Sequence, residues 1–446
     1  MATLLQVISS SLVPMATNEN PMSRMELTPW DLQLILVGPI QKGILFHKPE
    51  LEKTTDIINH LKASLSRTLE FFPPLAGRLG TVVNHDSDTT IYFVDCNNKG
   101  AEFTHAVAPT LSAHDISEAK YIPKIVSSFF PLNGVRNFQG TSEPLMGVQI
   151  TELADGLFIG CMANHAVVDG TSFWHFIKSW SEISRGFDKI SETPVFERDL
   201  LKWENRAIGI PTFNENLLPM PVPRPLLERV FHFSRESVAK LKAKANSEAG
   251  TSDVISSLQA LLAHLWLSVT RCRRISSAHN NHKSDDNGRE IELALPVGVR
   301  ARIPLPEFYF GNAIYISIFS ISETELLRSG LGQTGLEINA FVKQQTSEAA
   351  VFGFIEDFVR NPNAFTSFNS TFLVSSSPRY DVYGNDFGWG KPIAVRSGKG
   401  QKADGKMTLF PAAEPGGIEI EVCLAPETLE ALGDDAEFME AVTTSN

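Results

Sequence analysis

The chain has 446 residues and a formal net charge of −12, and 43% of its residues are hydrophobic. A single hydrophobic core stops growing beyond about 250–300 residues, so a chain of this length is expected to form two domains. The negative charge argues against a nucleic-acid or anionic-membrane partner, because either would require a basic surface. No run of about 18 apolar residues occurs, so no transmembrane segment is predicted.

The cysteines and the N-terminal residues indicate the compartment. The four cysteines are far apart and form no CxxC pair, which is typical of a reducing environment and argues against a thiolate metal cluster. The first 20 residues contain no Lys or Arg, so the basic region of a secretory signal is missing. A cytoplasmic location is therefore expected.

The first half of the chain predicts strands alternating with helices. Residues 50–72 carry apolar residues at helical spacing and end before Pro73 and Pro74, which stop a helix. Residues 171–186 are expected to form a second helix, capped by Thr171 or Ser172. Strands are predicted from β-branched and aromatic runs at residues 4–13, 89–96, 145–153 and 156–163.

A long irregular stretch then separates two units. Residues 189–227 contain six prolines and no regular periodicity, which is typical of an interdomain crossover. Beyond it, helices are predicted at residues 234–250 and 252–274, and strands at 289–300, 312–321, 371–378 and 417–424. The prediction is an α/β protein with a domain at 1–188, a linker at 189–227 and a second domain at 228–446.

Motifs for nucleotides and for a serine nucleophile are missing. The chain has no G-x-x-x-x-G-K-[ST] and no G-x-S-x-G sequence. Residues 398–403, GKGQKA, match the dinucleotide pattern in letters only, because the following DGKMT cannot open a helix. The surrounding segment is either a solvated hairpin or a phosphate-contacting loop, and its cations are Arg396, Lys399, Lys402 and Lys406.

His165 is the strongest single candidate for chemistry. It follows the predicted strand 156–163 and enters a turn, which is how a scaffold aims a side chain into a cleft. The residues alone leave three hypotheses open: a catalytic base, a metal ligand, or a structural histidine bonded to a nearby carbonyl. The metal hypothesis lacks further ligands, since His175 lies in a predicted helix without a nearby carboxylate–histidine pair.

Asp169 follows four residues after His165. The β-branched Val167 and Val168 and the helix breaker Gly170 favour a turn at this point. The aspartate is therefore expected to hold the loop by pairing with an arginine and not to orient the imidazole as in a triad.

Read together, the motifs are more specific than any one of them. HAVVDG at residues 165–170 and DFGWG at residues 386–390 resemble the BAHD acyltransferases, plant enzymes that move an acyl group from coenzyme A to an alcohol or amine. The similarity covers nearly the whole chain, and NDFGWGKP and SGKGQKADGK are especially like the cuticle-related and uncharacterised members. It extends to TPWDLQL at residues 28–34, FFPPLAGRL at 71–79, PEFYFGNA at 306–313 and GGIEIEVCL at 416–424.

The resemblance implies a fold and a set of roles. Two chloramphenicol-acetyltransferase-like domains would enclose a tunnel, with His165 as general base at its middle and no permanently bound cofactor or metal. Asp169 would pair with Arg300, or alternatively with Arg302. Asp386 would belong to the second motif and carries a disputed proton-transfer role. The remaining implied residues are Gly170, Phe387, Gly388, Trp389 and Gly390 for structure, and Ser376, Ser377, Lys399 and Lys402 for the coenzyme A site.

The leading hypothesis is a monomeric, acyl-CoA-dependent O-acyltransferase acting on a specialised metabolite or cuticle precursor. Because a thioester is already activated, one base suffices, and the missing nucleophile motif supports this hypothesis. Three alternatives stay open: an N-acyltransferase, a lyase or rearrangement acting on a small acidic metabolite in the same tunnel, and a non-catalytic binding protein.

Overall fold

A computed structural model describes residues 5–17, 22–49, 54–198, 207–214, 225–279, 289–362 and 372–443. The strands in these ranges are β1 (Gln6–Val13), β2 (Arg24–Glu26), β3 (Ile40–His47), β4 (Arg78–Asn84), β5 (Thr89–Asp95), β6 (Ala101–Ala108), β7 (Met146–Leu153), β8 (Gly156–Ala163), β9 (Gly209–Pro211), β10 (Leu227–Phe233), β11 (Glu290–Gly298), β12 (Ile314–Ser322), β13 (Phe372–Ser376), β14 (Ala394–Ser397), β15 (Lys406–Pro411) and β16 (Ile418–Leu424). The helices are α1 (Pro29–Leu32), α2 (Thr54–Leu69), α3 (His114–Ser117), α4 (Gly170–Ser184), α5 (Arg235–Glu248), α6 (Ser257–His279), α7 (Glu323–Gln345), α8 (Glu348–Arg360), α9 (Pro426–Asp434) and α10 (Ala436–Met439), with 3₁₀ turns at Pro73–Ala76, Lys124–Phe129 and Asn137–Thr141.

The first large sheet has the strand order β1-β6-β7-β8-β3-β14. Its central strand β8 is buried along its whole length, which explains why GLFIGCMA is a continuous run of apolar and small residues. Helices α2 and α4 pack against each other and share a hydrophobic core with this sheet. Helix α4 buries Phe173, Phe176, Ile177 and Trp180, which recur at the spacing of one helical face.

The second large sheet has the order β10-β16-β15-β13-β11-β12 and is covered by helices α5, α6, α7 and α9. Strand β13 lies parallel to both β11 and β15, whereas the other pairs are antiparallel. A smaller sheet, β2-β5-β4, carries β9 on the side of β5. The α/β organisation predicted from the sequence is therefore the observed one.

The structure differs from the predicted domain boundary at one strand. Strand β14 lies in the segment assigned to the second domain, yet it pairs with β3 in the first sheet, with Ser397 opposite Lys42. The reason is that Gln41 ties the following loop to β3, through a 2.7 Å hydrogen bond from the Gly400 amide to its Oε1. The second half of the chain thus completes the edge of the first sheet. Parts of the predicted linker, residues 199–206 and 215–224, lie outside the described residues.

The start of α4 is a second difference. The expected cap was Thr171 or Ser172, but the capping residue is Asp169, whose carboxylate accepts a hydrogen bond from the Ser172 amide. Asp is as good a cap as Ser, and the helix therefore begins one residue earlier, at Gly170. Among the described helices, none is long and apolar enough to cross a membrane.

Candidate active site

The HAVVDG turn begins where β8 ends and is held by Asn164. The Asn164 carbonyl accepts from the amides of Val167 and Val168, at 3.0 and 3.2 Å, and its side-chain oxygen accepts from Ala166. Three consecutive residues after His165 are thereby locked in a compact turn before α4 starts. The chain therefore reverses direction in a turn whose hydrogen bonds fix the orientation of His165.

His165 is fixed by three hydrogen bonds. Its amide donates to Asn137 Oδ1 at 2.9 Å, and its carbonyl accepts from Asn312 Nδ2 at 2.7 Å. Its Nδ1 lies 2.9 Å from the carbonyl oxygen of Val168. A carbonyl can only accept, so Nδ1 carries the proton and Nε2 keeps a free lone pair.

Burial lowers the pKa of His165 to about 4, although the hydrogen bond to Val168 and the charge of Asp169 act in the opposite direction. The charge of Lys406 lowers the pKa further. At neutral pH the ring is therefore uncharged, which is the state in which a histidine can accept a proton.

Asp169 faces away from this imidazole. Both of its carboxylate oxygens lie 2.8 Å from Nη2 of Arg300, and a third bond comes from the Ala313 amide at 3.0 Å. The side chain of Asp169 is only 1% exposed and that of Arg300 is 23% exposed, so the carboxylate of this ion pair is buried and the guanidinium is half-buried. Of the two candidate partners, Arg300 makes the pair, whereas Arg302 is exposed to solvent.

Gly170 is required by close packing. A Cβ atom at this position would lie 2.5 Å from the hydroxyl oxygen of Tyr380, which belongs to the other half of the chain. The first turn of α4 can therefore approach the second half closely. Both residues line the same cavity as His165.

This cavity lies between the two large sheets and has a volume of about 980 Å³, including space open to solvent. Its wall is built by β3, α4 and β14 on one side and by β11, β12, β13 and β15 on the other. Apolar atoms make up the larger part of the lining surface, and the polar lining residues include His165 and three lysines. Such a mixture fits a ligand with an apolar body and a few polar groups.

The DFGWG loop does not reach this cavity. Asp386 Oδ1 accepts from the amides of Gly388 and Gly390 at 2.8 and 2.9 Å, and both glycines have positive φ, 114° and 107°. Phe387 packs on Trp180 and Phe46, with ring centroids 4.8 and 6.0 Å apart. Asp386 therefore holds the backbone of this loop, outside the cavity that His165 lines, and the proton-transfer role implied for it stays a prediction.

The remaining residues of that loop are structural as well. Trp389 stacks beside Phe387 with ring centroids 6.0 Å apart, and it meets Phe46 edge-on at 5.9 Å. The carbonyl of Phe387 accepts from Ser184 Oγ at 2.9 Å, near the end of α4. The second motif thus stabilises the helix whose first turn carries Asp169.

The four cationic residues of the basic segment lie in different environments. Lys399 is exposed, as a phosphate contact would need to be. Lys402 is not available in that way, because its ammonium is paired with Glu421 and Glu228 in a buried cluster. Arg396 is 3% exposed and donates to the carbonyls of Ile116 and Ser117, while Lys406 faces the cavity. The prediction of Lys402 as a coenzyme A contact is therefore corrected.

The two serines predicted for the coenzyme A site, Ser376 and Ser377, also lie in different environments. Ser376 ends β13, lines the cavity and adopts a left-handed backbone conformation with φ 66°. Within the described part of the chain, its buried Oγ has no hydrogen-bond partner. Ser377 follows the strand, is not part of the cavity lining, and accepts from the Arg379 amide at 3.2 Å. Ser375, which lines the cavity, takes the place that the sequence had given to Ser377.

Comparison with known proteins now decides the family. The family model described as "Transferase family" matches residues 5–439 of the chain. A "BAHD acyltransferase DCR" from Arabidopsis thaliana is 33% identical, over 93% of this chain and 88% of its own. The chain belongs to the BAHD acyltransferase family. BAHD enzymes use acyl-CoA as co-substrate, and acyl-CoA-dependent acyl transfer is the activity that this membership supports.

Other BAHD-like proteins agree with this result. An "Uncharacterized acetyltransferase" from Arabidopsis thaliana is 38% identical, over 97% of this chain and 98% of its own. Among solved structures, F. graminearum TRI101 complexed with coenzyme A and T-2 mycotoxin superposes with a TM-score of 0.77. It is 18% identical and covers 95% of this chain and 99% of its own, so this similarity confirms the fold.

Several residues of this BAHD site were missed by sequence reasoning. Asn137 and Asn312 clamp the backbone of His165, and Asp31 in turn accepts from Asn312 at 2.9 Å. Asp31 and Asn312 lie in TPWDLQL and PEFYFGNA, which had been recognised without a role. Lys42 was missed entirely, although a lone cation inside the apolar run IQKGILF was a usable signal.

A metal centre is not indicated in the part of this BAHD chain that the structure describes. No group of three or more His, Cys, Asp or Glu side chains there is placed to hold an ion. His175, the second histidine considered, lies 2.8 Å from the carbonyl oxygen of Glu192 through its Nε2.

Proposed function

We propose that the protein transfers the acyl group of an acyl-CoA to a hydroxyl group of a specialised metabolite or cuticle precursor, with His165 as the general base. One observation carries the proposal: Nδ1 of His165 is committed to the Val168 carbonyl, while the ring lines a cavity built from both large sheets. The free Nε2 lone pair is therefore the group available to a substrate in that cavity.

The proposed reaction needs only this base. Nε2 of His165 accepts the acceptor's hydroxyl proton as the oxygen attacks the thioester carbonyl carbon. The carbon–sulfur bond then breaks, and the departing thiolate takes the proton back from Nε2, so His165 returns to its neutral state. A positioned general base of this kind contributes about 10²–10⁴-fold to the rate.

A covalent acyl-enzyme is not part of the proposal. The four cysteines are all buried, and burial raises the pKa of each thiol, so none is a ready nucleophile. We assign a hydroxyl acceptor because a hydroxyl gains most from losing its proton during attack, whereas a neutral amine already carries a nucleophilic lone pair.

Two residues fit the donor's coenzyme A portion. The unpartnered Oγ of Ser376 offers a hydrogen bond inside the cavity, at a backbone conformation that a serine adopts only under constraint. The exposed Lys399 lies on the loop that supplies Gly398 and Gly400 to the cavity wall. We assign Ser376 to the pantetheine arm and Lys399 to the phosphates.

Release of free thiol tests the proposal. The purified protein would be incubated with acetyl-, malonyl- and hydroxycinnamoyl-CoA against a panel of alcohols and amines, with products identified by mass spectrometry. We expect thiol release with an alcohol acceptor and a loss of about 10²–10⁴-fold in His165→Ala, measured well below the melting temperature of the variant.

A matched control is His85→Ala, which removes an exposed histidine outside the cavity and should change neither quantity. Thiol release that stays at background with every pair would refute acyl transfer. Equal rates in wild type and His165→Ala would refute the base, and products formed only with amines would refute the hydroxyl assignment.

A further inference from the structure

Three lysines line the cavity, and the other lining residues are a mixture of apolar and mostly uncharged polar side chains. Lys42 enters from β3, Lys406 begins β15, and Lys402 comes from the loop between β14 and β15. All three are drawn together because β14 pairs with β3, which places the loop against the edge of the first sheet. The proposed function uses none of them.

Lys402 has a complete structural explanation. Its ammonium lies 2.5 Å from Glu228 Oε2, pairs with Glu421, and donates to Ser397 Oγ at 2.7 Å. Ser397 also donates to Glu421, through its amide at 2.9 Å and through its hydroxyl. Although burial lowers the pKa of Lys402, the two glutamates raise it above its usual value.

Lys42 and Lys406 have no such explanation. Lys406 is 6% exposed, and the one hydrogen bond that its Nζ makes to a described residue goes to the Gln401 side-chain oxygen, at 3.3 Å. Nζ of Lys42 lies 4.9 Å from the centre of the Phe410 ring. Among the described residues, neither lysine has a carboxylate within ion-pair distance, since both nearby glutamates are taken by Lys402.

Positive charge held away from water without a carboxylate partner is unfavourable, and Lys406 is buried while Lys42 is half-buried. Burial lowers the pKa of Lys406 to about 8, and the charge of Lys402 contributes. Burial lowers the pKa of Lys42 well below its usual range, against the charge of Glu421, and Lys406 and Lys402 lower it further. One negative charge on a ligand would balance this region.

We propose that Lys42 and Lys406 form an anion subsite, which takes the carboxylate of a substrate whose apolar body occupies the cavity beside His165. The inference rests on the proposed function, because it names the class of substrate that the same cavity accepts. The carboxylate belongs either to the acyl group of the donor or to the acceptor.

The position of Lys406 favours a carboxylate over a phosphate of coenzyme A. Lys406 is close enough to His165 for its charge to lower the histidine pKa. The pantetheine arm separates the phosphates from the thioester, so they cannot lie here while the thioester is at His165. A carboxylate on the reacting molecule can.

The subsite also has a consequence for the base. A bound carboxylate neutralises Lys406, which removes one of the charges that lower the pKa of His165. The histidine pKa then rises, while burial, the largest cause of its low value, continues to lower it. An acidic substrate therefore acts on the base in the favourable direction.

Calorimetry with one substrate at a time tests the subsite without turnover. The acceptor arm compares 3-(4-hydroxyphenyl)propanoate with its primary amide, and the donor arm compares malonyl-CoA with acetyl-CoA. In one arm we expect the compound with the carboxylate to bind at least about tenfold more tightly than its neutral partner. This ratio corresponds to a difference of about 1.4 kcal/mol in binding free energy. That arm identifies which substrate carries the carboxylate.

The preference should fall to within about twofold in Lys406→Met and in Lys42→Met, because the neutral stem keeps the packing and loses the charge. Lys406→Arg keeps a cation and should retain the preference, which guards against a folding defect in the Met variants. Lys240→Met removes an exposed lysine of α5 outside the cavity and serves as the matched control.

Equal binding of the acid and its neutral partner in both arms would overturn the subsite, as would a preference that survives the double Lys42→Met, Lys406→Met variant. The two proposals fail separately. Thiol release without a carboxylate preference rejects only the subsite, whereas a carboxylate preference without thiol release in any donor–acceptor pair rejects only the transferase.

Discussion

The HAVVDG turn meets the first turn of α4, whereas the DFGWG loop packs near the last turn of the same helix. The helix has 15 residues, so the two motifs are separated by about 22 Å along its axis. At one end lie a free imidazole nitrogen and a cavity; at the other lie stacked aromatic rings and a carboxylate that accepts from backbone amides. Two motifs of similar sequence specificity thus lie in different surroundings, and we propose a chemical role for the first and a structural role for the second.

Asp169 lies next to the proposed base but is expected to act through its ion pair with Arg300. Asp169→Asn tests this structural role, and it has the largest expected effect on stability. Breaking a buried ion pair while its partner remains costs about 3–5 kcal/mol, so the melting temperature should drop clearly. The rate should fall as well, because the turn that holds His165 loses its anchor. Thermal unfolding and thiol-release kinetics on the same preparation measure both.

Arg302→Met is the control for that variant, since Arg302 is exposed and makes no pair with Asp169. It should leave stability and rate unchanged. If Asp169→Asn abolished the rate at an unchanged melting temperature, the aspartate would act on the chemistry directly, and the structural account of the pair would be wrong.

Phe387→Ala tests the other end of the helix. The ring is 1% exposed and packs on Trp180 and Phe46, so its removal should cost about 3–5 kcal/mol of stability. At a temperature where the variant is fully folded, kcat/KM should stay within about threefold of wild type, which is less than 1 kcal/mol. A folded Phe387→Ala protein with a rate reduced a hundredfold would place DFGWG in the chemistry.

The pH dependence of kcat/KM tests the proposed role of His165. Because burial lowers the pKa of His165 to about 4, the base is neutral throughout the neutral and mildly acidic range. With a substrate that carries no carboxylate, kcat/KM should be constant from pH 7 downward and fall only as the pH approaches that value. A decline centred at the ordinary histidine pKa of 6.5 would contradict the buried position of the ring.

The stability of the folded protein should also depend on the protonation of His165. The folded protein binds a proton at His165 less readily than the unfolded chain, so stability falls as the pH decreases from 6.5 toward 4. The charges of Asp169 and Lys406 act on the pKa of His165 in opposite directions, since Asp169 raises it and Lys406 lowers it. In His165→Ala this part of the acid sensitivity should disappear from the pH profile of thermal unfolding.

The sequence predicted the local parts of the site better than its assembly. The strand before His165, the turn at Gly170 and the pairing of Asp169 with Arg300 followed from residue types and the resemblance. The inward direction of Lys402 did not, because it depends on Glu421 and Glu228, which lie on two other strands. Lys399 and Lys402 look equivalent in sequence, and only tertiary pairing separates them.

The fold was likewise predicted better in its local elements than in the pairing of distant strands. Strong hydrophobic patterns located the strands of both large sheets, but β14 joins the first sheet across nearly the whole chain, with Ala394 opposite Leu45. No periodicity in the four residues of β14 specifies its partner. The cavity depends on that pairing, and so does the cluster of lysines that faces it.

Asp386→Asn carries the smallest expected effect and is the most direct test of the comparison. The amide oxygen of Asn can still accept from Gly388 and Gly390, so the variant loses only the charge assistance of these bonds, about 1 kcal/mol or less. The rate should equal that of wild type. A catalytic proton carrier would instead lose about 10²–10⁴-fold on this substitution. Because the two outcomes differ so widely, a single rate measurement on Asp386→Asn decides whether DFGWG serves the chemistry or only holds the helix that presents it.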